Sequence, residues 1–158
     1  LPLFERLVDD PDVRRFTLVP DPPPPGYART WLERYLDTDE RLGFAAYAGD
    51  RFVGIGLIPQ IDREAAEAEL GYMTDPDARG QGWGTALLKA LARYAFDELG
   101  MVRLTLQIDV GNPASQKVAQ RAGFVLEGVM RSAYFKQGQR TDTQLWSRLP
   151  DDPEPPPR

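Results

Sequence analysis

Arg79-Gly80-Gln81-Gly82-Trp83-Gly84-Thr85 runs directly into Ala86-Leu87-Leu88-Lys89-Ala90-Leu91-Ala92-Arg93-Tyr94-Ala95-Phe96-Asp97-Glu98-Leu99-Gly100, and the change of pattern along this stretch decides the fold. Leu87, Leu91 and Ala95, with Leu88, Ala92 and Leu99, line one side of a helix, while Lys89, Arg93 and Asp97 recur every four residues on the other. Gly100 is placed to end it. Val102, Leu104, Leu106 and Ile108 then alternate with Arg103, Thr105, Gln107 and Asp109, so a period of 3.6 gives way to a period of two and a strand follows the helix. Asn112-Pro113 reads as a cap and a first-turn proline, with Ala114, Val118, Ala119 and Ala122 facing inward and Gly123 closing a second helix. Strands are expected at about Phe124 to Arg131 and Thr141 to Leu149.

Upstream, Gly43 to Ala48 and Phe52 to Ile58 flank Gly49-Asp50 as an antiparallel hairpin, and a third strand over about Ala68 to Thr74 leads into the Gly-rich loop. Leu3, Leu7 and Val8 predict a short helix at the start, and Tyr27, Trp31, Leu32, Tyr35 and Leu36 one face of another. Between them Asp21-Pro22-Pro23-Pro24-Pro25-Gly26 is a stiff connector, and Asp151 to Arg158 is a Pro-rich acidic tail with little to bury. The pattern predicts one mixed α/β domain over residues 1–150, with the tail, 151–158, unstructured.

A length of 158 residues with 42% hydrophobic and 27% charged content suits one domain with a real core. A net charge of −5 and the lack of a basic run argue against nucleic acid, and slightly favour a cationic or amine-bearing partner. With neither Cys nor His, disulfides, thiolate nucleophiles, imidazole catalysis and Cys or His metal sites are excluded, so any base is a carboxylate, Tyr, Lys or a water chain. No apolar run is long enough for a membrane span and no signal peptide opens the sequence, which makes the cytoplasm the expected compartment.

The loop itself carries the chemistry. Gly80, Gly82 and Gly84 at the start of a strong helix allow close backbone approach to a ligand. Helix-start N–H groups and the positive end of the dipole together hold a diphosphate, and Arg79 adds a charge beside them. An isolated Gly-x-Gly-x-Gly is equally compatible with a turn that binds nothing. A Walker A loop is excluded because no Gly-Lys-Ser/Thr follows, and a dinucleotide fingerprint fits poorly, with Thr85 at the third glycine position and a meander before the loop.

Arg79-Gly80-Gln81-Gly82-Trp83-Gly84 resembles the Arg/Gln-x-x-Gly-x-Gly/Ala signature of the GNAT acyltransferases. The match continues through Glu69-Leu70-Gly71-Tyr72 and Pro76 before the loop, and through Asn112-Pro113-Ala114-Ser115, Gly123-Phe124 and Glu127-Gly128 after it, which is similar to the RimJ/RimL branch. The resemblance covers roughly Arg41 to Leu149. It implies a mainly antiparallel sheet flanked by helices, with two central strands splayed apart, and acetyl-CoA as co-substrate with no metal. Met73, Thr74, Arg79, Gly80, Gln81, Gly82, Trp83, Gly84, Thr85, Asn112 and Ser115 would then hold the coenzyme, its diphosphate on the loop and its pantetheine arm along Met73-Thr74. Members usually open with an extra strand, and this sequence begins within what reads as the first helix, so either the sequence is truncated or that edge strand is absent.

Acetyl transfer needs a neutral amine, stabilisation of the oxyanion and a proton for the thiolate. Glu69 is the leading base, against the alternative of a solvated strand carboxylate, and Ser115 and Tyr134 are the candidate acids. Asn112 is equally a helix cap, and Trp83 either covers the coenzyme or packs beneath the helix. The expected activity is acetylation of a primary amine, a protein N-terminus or a small amine, by an enzyme of a branch in which homodimers are frequent; a coenzyme-binding scaffold or sensor without turnover is the alternative. The acceptor is expected to be set by the second helix, the 59–67 connector and the loop at Gln137-Gly138-Gln139.

Overall fold

The computed structural model describes residues 1–157. In chain order these form α1 (Pro2–Asp9), α2 (Pro11–Phe16), α3 (Tyr27–Leu36), β1 (Leu42–Ala48), β2 (Arg51–Asp62), β3 (Glu67–Thr74), a single 3-10 turn (Pro76–Ala78), α4 (Trp83–Asp97), β4 (Arg103–Asp109), α5 (Pro113–Arg121), β5 (Val125–Lys136) and β6 (Gln139–Arg148). The strands make one six-stranded sheet in the order β1-β2-β3-β4-β6-β5. Every pairing is antiparallel except β3 with β4, whose parallel register covers only Glu67 to Glu69 against Arg103 to Thr105. Beyond Glu69 the two strands part, as the expected splay requires, and Gly71 to Thr74 keep partners only on β2. A bulge in β2 between Leu57 and Gln60, where Pro59 cannot donate to the ladder, bends the sheet at the same level.

Alternation assigns the two faces. Ala68, Leu70, Leu104, Leu106 and Ile108 pack with Leu88, Leu91, Ala92 and Ala95 of α4 and Ala119 of α5. Ile55, Leu57 and Met73 point the other way, into a second cluster with Phe4, Leu7 and Val8 of α1, Val13 of α2 and Ala28 of α3. α4 therefore lies over one face and α1 to α3 over the other. Leu88 is fully buried in the first cluster. Leu88→Ala is expected to cost about 3 kcal/mol, since deletion of a buried leucine leaves a cavity that its neighbours fill only in part; urea unfolding would show it as a lowered midpoint with an unchanged slope.

Several details differ from the sequence reading. The start is two helices, because Asp10 ends α1 in extended geometry and caps α2 by accepting the Val13 N–H at 3.0 Å. Phe4 rather than Leu3 turns inward, and Leu3, Leu36, Val102 and Ala114 are exposed. Half of the 59–67 connector is strand, since β2 runs to Asp62. The loop at 137–139 is a two-residue turn in which Gln137 and Gly138 both have positive φ, so β5 and β6 are longer than their apolar cores. Residues 151–157 have no helix or strand, yet Asp152 and Glu154 bond back to Leu149 and Arg148. Arg158, the end of the expected tail, lies outside the described residues.

Candidate active site

The Gly-rich loop sits where β3 delivers the chain across the sheet. Asp75 starts the turn after β3 by accepting the Asp77 N–H at 3.0 Å. Gly80 (φ 70°) and Gly82 (φ 86°) take left-handed geometry that other residues adopt only at a cost, and this swings the chain into α4. Gly82 is the N-cap of α4 and has no side chain to satisfy the first-turn N–H groups. Gly84 also has a packing task. A Cβ there would stand 3.3 Å from Thr74 Oγ1 and 3.3 Å from Tyr72 Cε2, so its lack of a side chain brings α4 onto β3.

The side chains of the loop are tied down. Arg79 grips Asp10 through Nη2 at 2.6 Å and Nη1 at 3.3 Å, and reaches Asp12 at 3.3 Å. Its charge is thus spent on the start of α2. Gln81 turns back to donate to the Asp77 carbonyl at 3.0 Å and accepts from Arg51 Nη1 at 3.2 Å. Arg51, at the start of β2, is a cation at the loop that no sequence pattern signalled. Trp83 is half-buried and lines an apolar groove of about 350 Å³ with Phe44, Tyr47, Leu87 and Tyr94. Thr85 is buried in the first turn of α4.

At the vertex of the splay, two groups lie on opposite faces. Tyr72 and Ser115 share a hydrogen bond of 3.0 Å on the α4–α5 side. Ser115 is positioned by Asn112, whose Oδ1 accepts the Ser115 N–H at 3.3 Å while Pro113 opens α5. Burial pushes the Tyr72 hydroxyl above its ordinary value and the Ser115 bond offsets part of that. Tyr72 was not among the expected site residues, although its place two residues past Leu70 puts it on that face.

Glu69 alternates onto the α1–α3 side with Met73. It is half-buried, and burial raises its carboxyl above the usual range. It forms no ion pair among the described residues, and its charge is felt by the Tyr35 hydroxyl. Such a carboxylate is free to take a proton. Tyr134 is not brought to Ser115. Its hydroxyl donates to the Thr17 carbonyl, because β5 crosses the end of α2. Among the described residues, no group of three or more His, Cys, Asp or Glu side chains could hold a metal ion, and no described helix is long and apolar enough to cross a membrane.

A family model of the acetyltransferase (GNAT) domain matches residues 1–125. The chain belongs to the GNAT acetyltransferases. Among its relatives is the Bacillus subtilis protein named "Putative ribosomal N-acetyltransferase YdaF", 30% identical over 138 residues, which are 87% of this chain and 70% of that one. The ribosomal-protein-serine acetyltransferase of Escherichia coli is 32% identical over 108 residues, 68% of this chain and 60% of the relative, so the chain spans between three fifths and seven tenths of these two proteins. A solved structure of RimL, a ribosomal L7/L12 alpha-N-protein acetyltransferase in complex with coenzyme A, superposes with a TM-score of 0.72 over 77% of this chain and 71% of that one at 24% identity, a likeness of fold. This GNAT domain therefore uses acetyl-CoA as co-substrate and transfers its acetyl group to an amine. A domain that binds the coenzyme without turnover is not favoured by relatives that bear acetyltransferase names.

Proposed function

We propose that this GNAT domain acetylates a protein N-terminal amine by direct attack on the thioester in the opening between β3 and β4. The observation that carries the reading is the parting of these strands after Glu69 and Thr105, with a raised carboxyl on one face and the Tyr72–Ser115 pair on the other. The unpaired side of Leu70 to Thr74 suits the amide groups of an extended pantetheine arm, with Asn112 at its side. The start of α4, from Gly80 to Thr85, suits the diphosphate, with Arg51 rather than Arg79 as the nearest adjustable cation.

In this reading Glu69 takes the proton of the incoming ammonium, directly or through water. The backbone of Met73-Thr74 polarises the thioester carbonyl, and Ser115, coupled to Tyr72, supplies a proton to the departing sulfur. Tyr134 has a positioning role, holding the end of α2 to β5.

Thiol release from acetyl-CoA with a panel of N-terminal peptides, free amino acids and polyamines tests the reading; no release with any peptide would overturn it. Tyr72→Phe and Ser115→Ala are each expected to slow turnover about tenfold or more. Because the two act as one hydrogen-bonded unit, the double variant is expected to be no slower than the worse single one, and simple additivity in single-turnover rates would count against their coupling.

A further inference from the structure

A cleft of about 400 Å³ opens at the C-terminal end of β4, on the face that carries α1 to α3, between α2, the connector after it and the β5–β6 hairpin. Its walls include Arg14, Arg15, Asp21, Asp109 and Lys136. Asp21 is met by a cation, whereas Asp109 is hydrogen-bonded by neutral donors only. Arg14 Nη1 donates to Asp21 at 3.4 Å, and Asp109 accepts the Gly111 N–H at 2.7 Å and the Thr141 hydroxyl. Arg14 is also bound to Asp9 at 2.9 Å and to the Val8 carbonyl at 3.0 Å.

Two of the cations make no ion pair among the described residues. Lys136 Nζ donates to the Thr17 carbonyl at 2.7 Å and makes no ion pair among the described residues, although an ammonium has three protons to donate. Arg15 is exposed, stacks over the Phe16 ring with 4.8 Å to its centroid, and likewise has no ion pair. Burial, only partly offset by the field of Asp21, pushes the Lys136 ammonium below its ordinary value. Three cations against two carboxylates leave the lining of the cleft one positive charge in surplus, a local exception in a chain of net charge −5.

The cleft is in line with Glu69. Thr105 lies beside Glu69, and Asp109 is four residues further along the same strand and face, about 13 Å at the usual strand rise. Gln107, between them on that face, is exposed, so the path along the sheet is open. An extended peptide covers roughly 3.3–3.6 Å per residue, so about four residues span the distance.

We propose that the acceptor is a protein N-terminus carrying an acidic side chain near its fourth residue, which Lys136 and Arg15 hold while the amine meets Glu69. The proposal rests on the acetyl-transfer reading above and names its substrate class. A polyamine, cationic along its length, meets repulsion at the same place.

Two hexapeptides, Ser-Ala-Ala-Asp-Ala-Ala and Ser-Ala-Ala-Lys-Ala-Ala, each carrying a C-terminal fluorophore, would be compared at low salt by anisotropy in the presence of coenzyme A and by thiol release from acetyl-CoA. The Asp peptide is expected to bind and turn over about tenfold better, since the swap replaces attraction to two cations by repulsion, and each exposed pair is worth up to about 1 kcal/mol. The preference is expected to shrink in Lys136→Gln and to vanish in the Arg15→Gln, Lys136→Gln double variant, whose changes lie at half-buried and exposed positions outside the core. Equal binding of the two peptides, no binding of either, or a preference untouched by the double variant would overturn the proposal while leaving acetyl transfer standing. Charge-selective binding without any thiol release would overturn the acetyl-transfer reading instead.

Discussion

Glu69→Gln is expected to lower kcat by about 10²–10⁴-fold, the usual loss when a positioned general base is removed. The side chain keeps its shape and loses only the ability to take a proton. Burial raises the Glu69 carboxyl, so the acid limb of the rate profile should have its midpoint above the ordinary glutamate value, and the variant should lack that limb. The amine acceptor, with its own ordinary value near 8, sets a separate limb that persists.

The effect on stability runs the other way. A carboxyl with a raised folded-state value contributes stability below its unfolded value and loses that contribution as pH rises through the folded one. At neutral pH the buried, unpaired charge opposes folding, so Glu69→Gln is expected to raise Tm while it removes activity. Loss of activity together with a lower Tm would mean that Glu69 holds the splay open rather than serving as the base. Full activity would remove it from the mechanism.

Gly82→Asp is expected to weaken acetyl-CoA binding by about 100-fold or more, equivalent to about 2.7 kcal/mol, because it sets a carboxylate where the start of α4 faces the diphosphate. Asp is among the few residues that accept left-handed geometry and it also suits a helix start, so the fold is expected to survive. Titration calorimetry with acetyl-CoA checks the affinity and circular dichroism checks the helix. Unchanged affinity would show that the glycines serve only the turn. Gly84→Val addresses the separate packing role: its side chain would push against Tyr72 and Thr74, and the expected result is disturbed turnover with partial retention of binding.

Much of this architecture was open to reading from local pattern. The stripe from Leu87 to Leu99, the alternation from Leu104 to Ile108 and the Asn112-Pro113 start each answer to physics within a few residues, and each became the expected element. Misplacements occurred where pattern and burial part company. Leu3, Leu36, Val102 and Ala114 fit a periodicity but fall at element ends, where no neighbouring layer exists to cover them. The site divided in the same way. Glu69 and Ser115 were identified through a motif, whereas Tyr72 needed its partner 43 residues away before it had a role.

The sequence by itself determined the class of fold, the glycine turn into α4 and the absence of His and Cys chemistry, because these depend on residue type and on spacing within one element. Only the tertiary structure decided which charges are available. Arg79 reads as a free cation in sequence and is bound by Asp10 and Asp12, while Lys136 and Arg15 read as ordinary surface residues and emerge with no ion pair among the described residues beside the sheet face that bears Glu69. The reason is distance. An ion pair forms between groups that the fold brings within a few ångströms, and those groups are 69 residues apart for Arg79 and Asp10, a separation over which local pattern carries no information.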